Sequence, residues 1–372
     1  MIYRHIIRPT LFAMDPEFVH DCFLRAGRLL GSNALTRGAL RLNYHYKHPA
    51  LLQKIQGITF GNPVGLAAGY DKDCVLMKVV PTIGFGFEEV GSITAEPYAG
   101  NPRPRLVRLP KDEGIIVYYG LKNKGANALR QRFVRPDGTR IRSAIPIGIS
   151  VAKSNKLLPT TKEKIEDWLR GIRLVKDWSD YLTFNLSCPN THDFQSFCEP
   201  GLLAELLSAI ERAKIRFRTP VFLKLSADIS TQELDEIIQI CDRHRFIKGF
   251  VLSNLTKDRS KLKLKSAKTE YEPYVGGISG KVVRPLALKL VRHAYKKVGD
   301  HYTIIGCGGI FTPEDAYEYI KSGASLLQLI TGLVYGGPRT IRRINKGLVK
   351  LLKKDGYAHI SEAVGADVKA SR

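Results

Sequence analysis

The stretch that decides the fold runs from residue 303 to residue 331 and reads TIIGCGGIFTPEDAYEYIKSGASLLQLIT. Two short apolar runs, at residues 303–306 and 326–330, are typical of buried strands, and residues 313–322 between them have a helical pattern. Thr312 is a typical helix N-cap, followed by proline at the first helical position and then by an acid. A strand, a helix and a second strand in this order predict a parallel βαβ unit.

The same alternation of short apolar runs and helical patterns begins at about Ile58 and covers most of the chain. Six more strands are predicted at residues 64–67, 87–90, 145–150, 181–186, 221–225 and 249–253. Further helices are predicted at residues 162–176, 202–216, 231–243, 285–298 and 338–354. Eight strands with helical crossovers predict an α/β fold, specifically a (β/α)8 TIM barrel. A doubly wound sheet would be expected to carry Gly-x-Gly-x-x-Gly after its first strand, and this sequence has no such motif.

Two segments lie outside the repeat. Residues 49–372 form the predicted barrel domain, with an insertion at about 94–142, and residues 1–48 form an N-terminal helical extension. In the extension, Asp15-Pro16-Glu17 opens a helix flanked by Arg25 and Arg28. Its apolar residues recur at helical spacing: Phe18, Val19, Cys22, Phe23, Ala26, Leu29 and Leu30. Such a helix either lies on a membrane or lines a tunnel for an apolar molecule, or else it covers the barrel bottom.

The composition, with 44% hydrophobic and 25% charged residues, is typical of a folded globular chain and excludes wholesale disorder. No run of about 18 apolar residues without a charge occurs, so we expect no transmembrane helix, and the first residues lack the apolar core of a secretion signal. The six cysteines include no Cys-x-x-Cys pair, which is typical of a reducing cytosol. The net charge of +23 has three interpretations: nucleic acid binding, an anionic membrane surface, or adaptation to a basic or salty cell interior.

In a barrel of this kind the active site forms from the loops at the carboxyl ends of the strands. Glycine-rich segments follow the last two strands, Gly306-Cys307-Gly308-Gly309 and Thr331-Gly332, and such backbone is typical of a phosphate site. Lys72 and Lys224 lie at the ends of apolar strands, where a bound anion or an electron-rich ring explains a lysine better than core packing does.

Polar residues after the fourth and sixth strands indicate binding of a ring and proton chemistry. Asn185, Asn190 and Asn254 supply the paired donors and acceptors that a planar, amide-rich ring requires. Cys188 lies in a Ser-Cys-Pro-Asn turn, where a thiol acts as a general base if its neighbours favour the thiolate. A buried, inert cysteine is the alternative. We expect no metal site.

Together these motifs resemble dihydroorotate dehydrogenases, the FMN enzymes of pyrimidine synthesis, over almost the whole chain. The resemblance is carried by Asp15-Pro16-Glu17, NPVGLAAGYDK at residues 62–72, GNPRPRL at 100–106, GGISG at 276–280, and IIGCGG at 304–309. The N-terminal helix and the C-terminal tail resemble the quinone-dependent, membrane-associated class of this family.

The resemblance implies roles for individual residues. FMN would be bound by Ala68, Gly69, Lys72, Ser92, Ser150, Asn185, Lys224, Ser253, Gly280, Gly308, Gly309, Ile330 and Thr331. Dihydroorotate would be bound by Lys72, Asn185, Asn190, Asn254, Tyr119, Gly120 and Leu121. Cys188 would remove the C5 proton while a hydride leaves C6 for the flavin. His20 and Arg108 would contact the quinone at the end of a tunnel between the N-terminal helices.

The resemblance also implies where the protein works and what it meets. Its partners would be dihydroorotate and orotate, a membrane quinone and an anionic membrane surface, with no nucleic acid. We expect a cytoplasmic monomer or homodimer that is peripherally associated with the inner face of the cell membrane.

Five positions depart from the quinone-dependent pattern and keep alternatives open. Cys188 and Leu121 resemble the soluble classes, which use fumarate or NAD, whereas the quinone class has serine at the position of Cys188. Val117 replaces an orotate-binding asparagine, and Ser150 and Ile330 replace a usual asparagine and aromatic residue. The alternatives are the same reaction with a soluble acceptor, an FMN enzyme that reduces uridine in RNA, which the +23 charge favours, and a flavoprotein that binds without catalysis.

The assignment of Cys188 as the base leads to a direct test. Cys188→Ala should lower dihydroorotate turnover by roughly 10²–10⁴-fold, the range for loss of a positioned base, while the flavin stays bound. Cys188→Ser should keep partial activity with its pH optimum shifted upward, because a hydroxyl is a weaker acid than a thiol. Steady-state rates against pH measure both effects, and full activity of Cys188→Ala would show that another group takes the proton.

Overall fold

The computed structural model describes residues 3–187, 190 and 196–370, and this part of the chain contains thirteen strands. They are β1 (Gln53–Ile55), β2 (Ile58–Phe60), β3 (Val64–Leu66), β4 (Phe87–Ile93), β5 (Leu106–Leu109), β6 (Gly114–Val117), β7 (Ile147–Val151), β8 (Tyr181–Asn185), β9 (Val221–Lys224), β10 (Ile247–Leu252), β11 (Gly277–Gly280), β12 (Thr303–Cys307) and β13 (Leu326–Leu329). Eight of them close a parallel barrel in the order β3-β4-β7-β8-β9-β10-β12-β13, and β13 pairs with β3. The predicted (β/α)8 barrel is confirmed.

Thirteen α-helices are described, most of them on the outside of the barrel. They are α1 (Arg8–Phe12), α2 (Pro16–Ser32), α3 (Ala34–Tyr44), α4 (Ala126–Phe133), α5 (Thr161–Val175), α6 (Pro200–Arg212), α7 (Thr231–Cys241), α8 (Lys268–Tyr271), α9 (Arg284–Val298), α10 (Pro313–Lys321), α11 (Thr331–Gly336), α12 (Thr340–Lys354) and α13 (Ala366–Lys369). Capping boxes begin α5, α7 and α10, where the side chains of Thr160, Ser230 and Thr312 accept from the third backbone N–H of the helix.

The predicted strands and helices lie where the sequence placed them, with small differences at their ends. The helix expected at residues 202–216 starts at Pro200 and ends at Arg212. Lys214 has a φ of +53°, a left-handed conformation that an α-helix does not contain. The second strand continues to Ile93, three residues further than expected, because its pairing with β7 extends, after a register shift, to Ile93 and Val151.

Apolar side chains fill the barrel interior near the amino ends of the strands. Seven buried residues form this cluster: Phe60, Phe87, Tyr181, Phe222, Val251, Ile305 and Leu326. The β1–β2 hairpin lies against it, and the Gln53 side chain donates to the Ser325 carbonyl (2.9 Å). This end of the barrel is therefore closed, and ligands have access to the carboxyl ends of the strands.

A small antiparallel sheet adjoins the barrel mouth. Strands β5 and β6, both within the predicted insertion, pair with each other, and β6 pairs with β11. The N-terminal helices adjoin this sheet, because α2 contacts β5. Helix α2 begins with a side-chain cap, in which Asp15 accepts from the Phe18 N–H (2.7 Å). The division into residues 1–48 and 49–372 stays a prediction. None of the helices that the structure describes is long and apolar enough to cross a bilayer.

Candidate functional site

A single cavity of about 540 Å³ lies at the carboxyl ends of the barrel strands and continues between the N-terminal helices. Of the predicted cofactor residues, twelve line it: Ala68, Gly69, Lys72, Ser92, Asn185, Lys224, Ser253, Gly280, Gly308, Gly309, Ile330 and Thr331. All seven predicted substrate residues line it as well: Lys72, Tyr119, Gly120, Leu121, Asn185, Asn190 and Asn254. His20 and Arg108 line the same cavity. The structure thus brings together residues from both ends of the chain, since Tyr3 and Pro338 line the same cavity.

The glycine loops form a narrow part of the cavity wall where side chains do not fit. Gly308, Gly309 and Gly280 have φ values of +125°, +67° and +110°, which favour glycine. A Cβ on Gly309 would lie 2.5 Å from the Arg284 Cβ, and a Cβ on Gly280 would lie 2.3 Å from the Glu113 carbonyl oxygen. Nearby, the hydroxyls of Ser279 and Thr331 are 3.1 Å apart. Bare backbone beside two hydroxyls fits a phosphate group.

A buried ammonium group faces the same space. Lys224 is the last residue of β9 and is 4% exposed, and no described residue gives it a hydrogen bond or an ion pair. Cys307, at the end of β12, also lines the cavity, and burial raises the pKa of its thiol, although the charge of Lys224 lowers it. Cys307 is therefore a neutral thiol. An unpaired buried cation requires an anionic or electron-rich ligand.

Hydrogen bonds connect the predicted asparagines with serines that line or support the cavity. Asn185 Nδ2 donates to Ser92 Oγ (2.8 Å), and Asn254 Nδ2 donates to Ser187 Oγ (3.1 Å). Ser150 is fully buried and does not line the cavity, because its hydroxyl lies behind Ser92 at 2.7 Å. A direct contact of Ser150 with the cofactor therefore stays a prediction, and the contact that the structure shows is the one with Ser92.

Asn190 is aligned by two segments of the insertion, a loop and the end of β6. Its Nδ2 donates to the Val117 carbonyl (2.9 Å), and its own carbonyl accepts from Asn101 Nδ2 (3.0 Å). The Asn190 Oδ1 is buried and has no hydrogen-bond partner within the described residues. It is thus available to accept from a ligand N–H. Asn101 lies within the motif at residues 100–106, but no sequence pattern indicated this role for it.

Lys72 lies between the polar and apolar parts of the cavity. Its Nζ is 3.4 Å from His20 Nε2 and 3.9 Å from the centre of the Tyr119 ring. Burial, and then the charge of Lys122, lower the pKa of Lys72 to about 8. Burial, and then the charges of Lys72 and Lys122, lower the pKa of His20 to about 2, so His20 is neutral at physiological pH.

The turn that carries Lys72 is held by its neighbour. The Asp71 carboxylate accepts from the backbone N–H groups of Val75 (2.8 Å) and Leu76 (2.6 Å). The Asp71 carbonyl accepts from the Gly91 N–H at 3.2 Å, which joins this turn to β4. These hydrogen bonds fix the backbone of the turn that contains Lys72.

A buried carboxylate ties α2 to the barrel mouth. Glu17, whose side chain is 3% exposed, forms ion pairs with Arg103 (3.1 Å), Arg105 (3.1 Å) and Lys122 (3.0 Å). Burial alone would raise the pKa of Glu17, but the hydrogen bond from Lys122 and the three positive charges lower it. From the sequence, Glu17 was only a helix-start signal, and Lys122 was not identified, although it directly follows the predicted site residue Leu121.

The far part of the cavity is apolar and lies between the N-terminal helices. Side chains from α1, α2 and α3 form its wall: Leu11, Phe12, Val19, Phe23, Ala26, Leu30 and Leu40. Arg108 stacks over the Phe12 ring at 4.7 Å and donates to the Met14 carbonyl (2.8 Å). Among the interpretations of this helix, the structure supports the lining of an apolar cavity and not coverage of the barrel bottom, because its side chains lie in the cavity at the carboxyl ends of the strands.

Cys188, the predicted base, lies outside the described residues, as do its neighbours at 189 and 191–195. The flanking residues Ser187 and Asn190 are both buried at the cavity side of the barrel mouth. The role of Cys188 therefore stays a prediction.

The fold and the cavity define a protein of the (β/α)8-barrel class with a deep, glycine-lined cavity at the barrel mouth. The family model described as dihydroorotate dehydrogenase matches residues 50–352. A protein of Nostoc punctiforme named dihydroorotate dehydrogenase (quinone) is 37% identical over 382 residues, which cover all of both chains. The protein of the same name from Nitratiruptor is 35% identical and covers 98% of this chain and 99% of its own.

Solved structures agree with these sequence matches. The ligand-free enzyme of Eimeria tenella superposes with a TM-score of 0.83 at 29% identity, covering 95% of this chain and 99% of the other. The same enzyme in complex with ferulenol gives a TM-score of 0.79 at 28% identity, covering 95% and 96%. This chain belongs to the dihydroorotate dehydrogenase family.

The position of Lys72 leads to a prediction about pH. Because its pKa is about 8, Lys72 is charged below that pH and neutral above it, so a carboxylate ligand should bind more weakly as the pH rises. With orotate as the probe, titration calorimetry should show the dissociation constant rising about tenfold per pH unit above about pH 8. Lys72→Met should weaken binding by roughly tenfold or more already at pH 7.

The exposed Lys124 provides the matched control, since Lys124→Met removes a nearby charge outside the cavity. Equal losses in Lys72→Met and Lys124→Met would mean that the effect arises from general surface charge.

Proposed function

We propose that the protein oxidises dihydroorotate to orotate in pyrimidine biosynthesis, with FMN as its flavin, and passes the electrons to a membrane quinone. The observation that carries this proposal is the continuity of one cavity from the glycine loops and asparagines to the apolar space between the N-terminal helices. The relatives from Nostoc punctiforme and Nitratiruptor, which this chain matches over nearly their whole length, are both named dihydroorotate dehydrogenase (quinone). The names of these relatives favour dihydroorotate as the substrate over uridine in RNA.

The residues of the barrel mouth fit FMN. The positive-φ glycines Gly280, Gly308 and Gly309, with Thr331, would hold the phosphate, and Ala68, Gly69, Ser92 and Ser253 would border the ring system. Lys224 would place its ammonium against the electron-rich edge of the ring, where negative charge is stabilised best in a water-poor site. The bound flavin supplies the two-electron acceptor of the reaction.

The polar residues opposite these loops would bind dihydroorotate. The amides of Asn185, Asn190 and Asn254 pair with the ring N–H and C=O groups, and the free Asn190 Oδ1 supplies an acceptor. The Lys72 ammonium attracts the substrate carboxylate. Cys188 would take the C5 proton.

The apolar part of the cavity fits a quinone. Its wall comes from the N-terminal helices, and the polar groups at its inner end are the neutral imidazole of His20 and the guanidinium of Arg108. These two side chains would contact the carbonyl oxygens of a quinone ring, while the surrounding apolar residues accommodate its chain.

The visible spectrum of the purified protein tests this function directly. Dihydroorotate added without oxygen should bleach the flavin absorption, and chromatography of the released cofactor should identify FMN. Turnover should then be faster with a ubiquinone or menaquinone analogue than with fumarate or NAD. Turnover with fumarate or NAD but not with a quinone analogue would assign a soluble acceptor, as Cys188 and Leu121 suggest. A flavin that dihydroorotate does not bleach would overturn the proposed reaction.

We further propose that the protein works in the cytoplasm, as a monomer or homodimer, with its N-terminal helices on the anionic inner face of the cell membrane. Twelve large apolar side chains are exposed in the described part of the chain, and nine of them lie between Ile6 and Leu42. Leu35 and Leu42 are 82% and 83% exposed, and the neighbouring Arg25, Arg28 and Arg41 are exposed as well. Apolar side chains flanked by arginines are typical of helices that lie on anionic lipid.

The double variant Leu35→Glu/Leu42→Glu tests the membrane contact. Its binding to phosphatidylglycerol vesicles should fall by roughly tenfold or more. The variant loses two leucine side chains that would enter the lipid, and its two new negative charges are repelled by anionic lipid. Vesicle co-sedimentation measures this, with Leu52→Glu as the control, since Leu52 is half-exposed at the opposite end of the barrel. Unchanged sedimentation of the double variant would exclude this face.

A further inference from the structure

We propose that Lys122 is a second cationic group of the substrate site, which binds the substrate carboxylate together with Lys72. This inference rests on the proposed oxidation of dihydroorotate and adds a residue to its binding machinery. The substrate class is a ring that carries a carboxylate, held between two ammonium groups rather than by one.

The geometry places both ammonium groups around one aromatic ring. Lys72 Nζ is 3.9 Å from the centre of the Tyr119 ring, and Lys122 Nζ is 5.9 Å from it. Both lysines and Tyr119 line the cavity. The two cations therefore border the same part of the cavity, where an anionic group can interact with both.

The turn that carries Lys122 is rigid. Asn123 Nδ2 donates to Thr94 Oγ1 (2.7 Å) and to the Leu121 carbonyl (2.8 Å), and Asn123 Oδ1 accepts from the Gly125 N–H (2.8 Å). Asn155 Nδ2 donates a hydrogen bond to the Gly120 carbonyl (2.8 Å). The backbone of Lys122 is thus fixed, and only its side chain has freedom to turn toward a ligand.

The ion pair of Lys122 does not prevent such a contact. Its carboxylate partner, Glu17, also binds Arg103 and Arg105, so Glu17 keeps two guanidinium partners when Lys122 turns away. The Lys122 side chain is 34% exposed, whereas that of Glu17 is 3% exposed. Releasing the partly hydrated lysine therefore costs little compared with leaving a buried carboxylate unpaired.

Charge around Lys72 makes a second anion-binding group useful. Within the described residues Lys72 has no carboxylate at ion-pair distance, since its direct neighbours are the neutral His20 and the Tyr119 ring. The charged groups that act on it are Lys122, which lowers its pKa, and the more distant Asp73, Asp21 and Glu17, which raise it. The cluster carries excess positive charge, and a bound carboxylate relieves the repulsion between the two lysines.

Lys122→Gln tests the inference through two effects of opposite direction. At pH 7 the KM for dihydroorotate should rise roughly tenfold or more, with kcat within about twofold, because a carboxylate contact is equally strong in the ground state and the transition state. At the same time the pH above which binding weakens should move upward, since Lys72 loses its repulsive neighbour. Lys122→Arg should restore most of the affinity.

Arg103→Gln is the matched control for a purely structural role. Arg103 shares Glu17 with Lys122, but its side chain is 69% exposed and it does not line the cavity. If Lys122 acted only by anchoring α2 through Glu17, Arg103→Gln would raise KM in the same way. Equal effects of the two variants, or an unchanged KM in Lys122→Gln, would overturn the inference.

The proposed reaction and the proposed role of Lys122 can fail independently of each other. Wild-type protein that does not oxidise dihydroorotate would refute the reaction. The orotate affinities of wild type, Lys122→Gln and Arg103→Gln, measured by calorimetry, would still decide whether Lys122 binds the carboxylate.

Discussion

The pairing of β13 with β3 is the constraint on which the rest of the structure depends. It joins Leu327 to Val64 and Leu329 to Leu66 across most of the chain and so closes the barrel. Because all eight strands are parallel, closure places their carboxyl ends at one mouth. The glycine loop at residues 306–309 and the turn with Lys72 come together only through this pairing, and an apolar cluster fills the barrel at the opposite end.

The N-terminal helices become part of the site through one buried charge. Glu17 brings α2 to the loops that contain Arg103, Arg105 and Lys122, and this placement sets His20 beside Lys72. A buried carboxylate with three cations is satisfied, whereas the same group with none would be strongly destabilising. The three cations exceed the one carboxylate in charge, and they contribute, with the exposed arginines of α2 and α3, to the net charge of +23.

The positions that depart from the quinone-dependent pattern are explained by packing in two cases. Val117 contacts an apolar cluster that includes Phe12 and Tyr335, so it extends the apolar wall of the cavity, while its backbone carbonyl aligns Asn190. Ser150 supports Ser92 from behind. Both residues affect the site through their neighbours.

The sequence alone predicts the barrel and its eight strands, because strand periodicity is a local property of the chain. Through the family resemblance it also indicated site residues, and all of those that the structure describes, except Ser150, line the cavity. It also determined the family, through motifs at residues 62–72 and 304–309. Only the tertiary structure decided that the N-terminal helix joins the barrel mouth, that Ser150 lies behind Ser92, and that Lys122 shares Glu17 with two arginines. These are contacts between side chains far apart in sequence, and no local pattern determines which of many possible partners a buried charge or hydroxyl will meet.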